Sequence, residues 1–278
     1  MGVQIVLRAA IYGIFLCGLN NFAVVINAAT PDETSITDGA ASTAPEAEQV
    51  HTDLLAKVRV VNDELYSSLQ SFVCNEQMQR FEGSLDGDSA RHIDTVSTKV
   101  SFENGVEHYT DIFQNQQQRA SISSVPGAWS EGEFGTLLQQ TQILLNVGPV
   151  SFRKYTEVNG TPAALYAVNI SEQNSPWDLE VERRHYRIPF RTDVWVSRTT
   201  GEILKIERVS TTIPRRVGIS EIRWGVTLKA VKLDEKTWLL PATGSYAVLY
   251  RSTGRREWNE MSFSEYRRYG SEVALRFQ

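Results

Sequence analysis

From Thr52 to Phe72 the apolar positions Leu54, Val58, Val61, Leu65, Leu69 and Phe72 recur at intervals of three and four residues. That spacing places one apolar stripe along a helix about 30 Å long. Asp53 suits the positive end of its first turn. The stripe is expected to pack on the chain's own sheet, because about three heptads are marginal for a coiled coil. After Cys74 the period shortens to two, with Val96, Val100 and Phe102 alternating with polar neighbours. Asn104-Gly105 predicts a tight hairpin turn, with Tyr109, Ile112 and Phe113 on the return arm, and Asn159-Gly160 predicts a second hairpin. Arg191 to Pro214 reads as a third, turning at Gly201. Its outgoing arm separates Val194 and Val196 from Trp195 and Ser197. Its return arm sets Ile203, Lys205, Glu207 and Val209 against Leu204, Ile206 and Arg208.

One segment departs from this alternation. From Ser130 to Asn146 the residues Phe134, Leu137, Leu138 and Leu145 fall at helical spacing, with Ser130 as the expected N-cap and a stop at Gly148-Pro149. Trp177 to Arg187 reads as a single alternating strand. The stretches 219–233, 237–240, 243–251 and 255–267 read as a meander, and Val273, Leu275 and Phe277 as a last strand. Strands joined by short turns, with two helices, predict an α+β fold built on a mainly antiparallel sheet. Many arms carry one apolar and one polar face, so the sheet is expected to be covered on one side.

The first 29 residues have another character. Arg8 is followed by the apolar runs 9–19 and 22–26, and Ala28 and Ala29 offer a small-residue cleavage site, the pattern of a secretory signal. Asn20 and Asn21 interrupt the run. An uncleaved anchor, which would hold the body close to a membrane, and a lipid-modified Cys17 are the alternatives. Leu16 precedes Cys17 where lipid attachment requires a small residue. All three readings export the body. Residues 30–50, rich in Thr, Ala, Pro and acids, are expected to be a disordered linker. Residues 51–278 are then one domain.

Five acids and no Lys or Arg lie between Asp32 and Glu48, while the chain from His51 onward has 27 basic and 28 acidic residues. A nearly neutral body argues against a nucleic-acid partner. The pairs Arg183-Arg184, Arg215-Arg216, Arg255-Arg256 and Arg267-Arg268 are interspersed with acids and suit solvated strand faces. If the leader is removed, Cys74 has no partner for a disulfide, and a buried thiol is expected. The four histidines show no metal-ligand spacing, and neither a nucleophile elbow nor a phosphate-binding glycine loop is present. No metal and no cofactor is expected. Asp178, Glu180 and Glu182 put carboxylates about 7 Å apart on one strand face, a spacing that glycosidases use, but alternating charge on an exposed strand is common and a solvated face is the expected reading.

The segment V-W-V-S-R-T-T-G-E-I-L-K-I-E (194–207) resembles the hairpin of periplasmic lipoprotein-carrier and outer-membrane lipoprotein-sorting proteins. The motifs F-V-C (72–74), G-E-F-G-T-L-L (132–138), W-L-L-P (238–241) and F-S-E-Y-R-R-Y (263–269) are similar to those of a group of uncharacterised exported bacterial proteins. The resemblance spans roughly residues 70–278. It implies an incomplete (half) barrel that wraps helices around a cavity for acyl chains, in a non-enzymatic exported protein, periplasmic or secreted, with a lipid or lipidated protein as partner. On that expectation Phe72, Phe134, Leu138, Leu145, Trp195 and Trp224 line the groove, and each also suits plain core packing. The alternative is an envelope interaction or sensor domain without a small-molecule ligand.

Overall fold

The computed structural model describes residues 5–9, 43–69, 72–84, 90–181, 183–233 and 235–268. The expected leader is outside them except for residues 5–9, as are most of the linker and the expected last strand at 273–277. The chain opens with β1 (Ile5–Ala9) and α1 (Thr43–Leu69). It continues through β2 (Phe72–Ser84), β3 (Arg91–Glu103), β4 (Val106–Gln114), β5 (Gln117–Gln118) and β6 (Ala128–Glu131) to α2 (Thr136–Val147). Then come β7 (Ser151–Val158), β8 (Thr161–Ile170), β9 (Trp177–Val181), β10 (Arg184–Arg187), β11 (Phe190–Ser197) and β12 (Ile203–Ser210). The long strands β13 (Ile219–Leu233), β14 (Lys236–Tyr250) and β15 (Arg255–Arg268) complete the described chain.

Eleven strands form one curved, unclosed antiparallel sheet in the order β5-β4-β3-β2-β15-β14-β13-β12-β11-β8-β7. The expected α+β half-barrel is therefore the observed architecture. Register aligns Val194, Ile206, Val226, Met261, Met78 and Val96 in one row across the concave face, and all six are buried. Asn104 and Asn159 sit at φ 52 and 49 ahead of Gly105 and Gly160 at φ 79 and 80, as the two Asn-Gly turns require. In the third hairpin a bulge pairs Trp195 with Lys205 but Val196 with Ile203. The extra residue moves Ile203 to the buried side with Ile206, where strict alternation had placed it opposite. Pro241 of W-L-L-P likewise sits at a bulge between β13 and β14, where the lost amide matters least.

α1 begins at Thr43, inside the stretch read as linker, where Pro45 and Glu46 suit a first helical turn. It buries Val58 and clasps the third hairpin: Asn62 Nδ2 donates to the Gly201 carbonyl at 3.0 Å, and the Ile203 amide donates to Asn62 Oδ1 at 3.0 Å.

A second sheet, in the order β10-β9-β1-β6, lies over the concave face. Trp177 of β9 packs 4.7 Å from Phe190 and 5.9 Å from Trp224, ring centre to ring centre. Asn259 of β15 donates to the Ala128 carbonyl of β6 at 3.1 Å. This sheet corrects two readings. The stretch 177–187 is not one strand, because Arg183 takes φ 65 and folds β10 back on β9. Ser130 does not cap a helix but lies in β6. Gly132 at φ 120 ends that strand, and α2 starts only after Gly135.

Candidate functional site

The seam between α2 and the concave sheet gathers most of the residues singled out from sequence. α2 turns Leu137, Leu138, Leu144 and Leu145 inward, but also Gln140, Thr141 and Gln142. Phe134, just before it, packs on Phe263 and stacks on Tyr266 with centroids 6.2 and 6.1 Å apart. Phe72 meets Trp238 edge to face at 5.1 Å. Phe72, Phe134, Leu138, Leu145 and Trp224 are all buried in one connected core. Trp195 stands apart: it is half-buried on the opposite face of β11, with the Lys205 ammonium 4.8 Å above its ring.

Polar groups tie α2 to the sheet. Glu107 on β4 reaches the helix start, where its Oε1 accepts from the Gly135 and Thr136 amides at 2.7 and 3.0 Å. A carboxylate at an N-terminus satisfies orphan amides and suits the helix dipole. Tyr109 donates to the other oxygen of Glu107 and accepts from the Gly132 amide. Glu133, 1 % exposed, takes hydrogen bonds at Oε1 from the Ser130 hydroxyl and from Trp224 Nε1, while its Oε2 is buried without a partner. Burial, then the charge of Glu107, pushes Glu133 up to about 8. Glu76 on β2 is also buried, and burial followed by the charges of Glu133 and Glu107 raises it well above its ordinary value. Burial likewise pushes up Glu107, opposed by its hydrogen bonds, and the Cys74 thiol beside Tyr266. A thiol held protonated is not a nucleophile.

Arg208 of β12 lies between α2 and the sheet at 0 % exposure. Its guanidinium donates to Gln140 Oε1 at 2.5 Å and Thr141 Oγ1 at 3.4 Å, both neutral groups, and lies 4.8 Å from the Phe190 ring centre. Burial alone lowers it to about 9, with no carboxylate to offset the loss of water, so it keeps its charge at neutral pH. Arg208 Nε, Gln140 Nε2 and Thr192 Oγ1 have no partners. Thr192 pairs with Arg208 across the β11–β12 ladder and Gln140 accepts from the same guanidinium, so the three unused donors belong to neighbouring side chains. Sequence reading placed Arg208 on the face shared by Leu204 and Ile206, and that face assignment was the available signal of its burial. By contrast, the buried pair Arg80–Asp94, with Arg80 Nε 2.6 Å from Asp94 Oδ1, is matched in charge and supplemented by Gln114. Burial pushes Asp94 up, but the hydrogen bonds of Arg80 and Gln114 and the Arg80 charge bring it below its ordinary value.

Two open depressions lie elsewhere. A cleft of about 480 Å³ separates the start of α1 from β7 and β8, with Asp53, Lys57, Tyr155 and Arg198 on its walls. A dimple of about 370 Å³ lies along β12–β15, bordered by Glu207, Arg208, Arg223, Trp224, Ser245 and Trp258. Of the six expected groove residues, only Trp224 borders either. Asp178 is paired with His185 at 2.7 Å, neither it nor Glu180 lines either depression, and Glu182 is outside the described residues. Among the described residues no group of His, Cys, Asp and Glu is arranged to hold a metal ion.

No protein-family profile and no curated protein matches the chain. Among solved structures it is similar to a domain assigned as an outer membrane lipoprotein-sorting protein from Vibrio parahaemolyticus. The identity is 13%, the match covers 80% of this chain and 94% of that one, and the TM-score is 0.39. It is also similar to a DUF1329 family protein from Desulfovibrio piger, at 10% identity over 79% and 93% of the two chains with a TM-score of 0.42.

Proposed function

We propose that the half-barrel is a non-enzymatic binding protein of the cell envelope that takes an acyl-type ligand with an anionic head into the space α2 fills. The observation that carries this reading is the buried, uncompensated Arg208, whose own Nε is unused and whose neighbours Gln140 and Thr192 each hold one more unused donor, set among Phe190, Trp224 and the leucines of α2. An isolated buried cation is costly, and an anion supplied from outside relieves that cost. Gln140, Arg208 and Thr192 would hold the head by charge-assisted hydrogen bonds. Phe134, Leu138, Leu145 and Trp224 would line the chain's path, with Phe72 at its far end.

The same features make α2 the movable part. Gln139, Gln140 and Gln142 each leave a buried amide atom unpartnered, so α2 is bound less firmly than an apolar face of equal size would be. Its ties to α1 are a few polar contacts, such as Arg59 Nε donating to the Leu145 carbonyl at 2.8 Å and Gln142 Nε2 to Asp63 Oδ1 at 2.7 Å. Water can replace these when the helix lifts.

The test is native mass spectrometry of the protein recovered from its exported compartment, followed by uptake of a fluorescent fatty acid. A retained amphiphile, or uptake of the probe, is expected. Arg208→Met keeps the stem but removes the charge, and it should weaken the acid probe about tenfold or more while leaving the matching fatty alcohol within about twofold, since a hydrogen bond to a charged group contributes about 1.5–3 kcal/mol. A bare mass with no uptake of either probe would refute the reading. Equal loss for both probes would remove Arg208 from it.

A further inference from the structure

The cleft beside the start of α1 is built differently from the α2 seam. Val50, Asp53, Leu54 and Lys57 line it from the helix, and intervals of three and four residues put them on one side of α1. Tyr155 of β7, Pro162 of β8 and the turn after β11 line it from the sheet. Its volume of about 480 Å³ falls in the range of sites for small organic ligands.

Two cations meet at one corner of this cleft. The Lys57 ammonium donates to the carbonyl of Thr199, the residue after Arg198, at 2.6 Å. That bond uses one of its three donors. The stem of Lys57 lies against the turn, since a Cβ on Gly201 would come 3.0 Å from Lys57 Cγ. The Arg198 guanidinium lies 4.0 Å from the centre of the Tyr155 ring. Among the described residues that guanidinium has no hydrogen-bond or ion-pair partner, so its N–H fork is unspent. The exposed Arg191 and Arg223 of the same sheet are instead paired with Asp193 and Glu221. Tyr155 is anchored in turn: its hydroxyl is 3.3 Å from His51 Nδ1, and the His51 ring stacks 3.5 Å from that of Phe152. Contacts that fix both cations beforehand reduce the ordering a ligand must impose.

Charge and size set the class of ligand. Lys57 and Arg198 against Asp53, which is already engaged, leave one positive charge, the complement of a monoanion. The apolar side is short. Val50 and Tyr155 are among the large apolar side chains left exposed, and Val50 stands one turn from Leu54, about 6 Å along the helix. That is the length of one aromatic ring and far less than a long acyl chain. A flat ring also suits Pro162 and the guanidinium plane. We propose that this cleft is a second binding site, separate from the α2 seam, for a small aromatic monocarboxylate. Arg198 and Lys57 donate to its carboxylate, and its ring lies along Val50 and Leu54.

The probe is 3-phenylpropanoate, titrated into the full chain and followed by ligand-observed NMR. The controls are 3-phenylpropanamide, which lacks the charge, and propanoate, which lacks the ring. The acid should bind with a Kd of about 1 mM or tighter, and each control at least about tenfold more weakly. Arg198→Met should weaken the acid about tenfold or more and leave the amide within about twofold. Arg198 is exposed, so an unchanged melting temperature reports an intact fold. Arg208→Met, which alters the seam, should leave the affinity for the acid within about twofold. The proposal falls if the acid shows no saturable binding, if either control binds as tightly, or if Arg198→Met leaves the acid's affinity unchanged. It also falls if Arg208→Met abolishes the affinity, since the acid would then sit in the seam. Binding of 3-phenylpropanoate without any uptake of the fatty-acid probe would refute the seam reading and leave this site standing.

Discussion

Gly132→Ala should lower the stability of this protein by on the order of 3–5 kcal/mol, far more than one methyl group normally costs. Two causes add. Gly132 has φ 120, where a side chain is strained by about 1–3 kcal/mol. A Cβ there would also come 2.9 Å from Trp224 Cη2 and 3.1 Å from Thr136 Cβ, and overpacking of this kind costs about 1–3 kcal/mol. Trp224 has little freedom to yield, because its Nε1 is held by Glu133 at 2.6 Å and Trp177 packs on it. Gly218→Ala is the control: φ is 76, but nothing lies within 4 Å of the added carbon, so strain alone remains. Thermal unfolding of the two variants measures the difference, expected at roughly 2–12 °C. Equal losses would show that the contact with Trp224 does not constrain the turn.

That turn also explains how far the sequence could be read. Long alternating stretches and Asn-Gly turns announce themselves locally, which is why the large sheet was legible through β3–β4, β7–β8 and β11–β15. The motif G-E-F-G-T-L-L was legible as a pattern but not as geometry. Its first glycine breaks a strand and its second approaches Phe102, where an added Cβ would lie 2.5 Å from the ring. Helical periodicity carried the prediction back to Ser130, although the backbone turns helical only at Thr136. Of the small sheet, alternation marked only the stretch that holds β9 and β10; its assembly could not be inferred, because β6 and β9 contribute four and five residues and depend on a partner strand more than a hundred positions away.

The site was half legible for a related reason. Apolar residues at helical spacing mark a buried face, so Phe134, Leu138 and Leu145 were found. What makes the seam chemically distinctive is polar, and polar residues are expected at the surface. Glu76, Glu107, Glu133 and Arg208 come from four separate elements, and nothing in the chain marks them as neighbours. Arg208 alone had a local sign, its place on the face shared by Ile206.

The buried acids give the last prediction. Glu133 has an ordinary value of 4.5 and is raised to about 8 in the fold, so the folded chain holds a proton that the unfolded chain releases. Its contribution to stability is complete below about pH 4.5 and is lost as pH rises toward 8, up to about 5 kcal/mol across that interval at about 1.4 kcal/mol per pH unit. Glu76 and Glu107 act with the same sign. Asp94 acts oppositely: its depressed carboxyl stabilises the fold above its ordinary value of 3.8 and loses that effect as acid protonates it. The melting temperature should therefore peak in mildly acidic buffer and fall toward pH 8. Glu133→Gln cannot ionise, and its carbonyl oxygen can still accept from Ser130 and Trp224. It should match the wild type near pH 5 and exceed it at pH 8 by several degrees, flattening the curve. Parallel curves for the two proteins would mean that Glu133 does not carry the dependence. If α2 is the part that lifts, ionisation beside its first turn favours the open form, and uptake of the fatty-acid probe by the wild type should quicken from pH 6 to pH 8 while Glu133→Gln stays level. A change in melting temperature without a change in uptake would place the ionisation in global unfolding and leave α2 closed throughout.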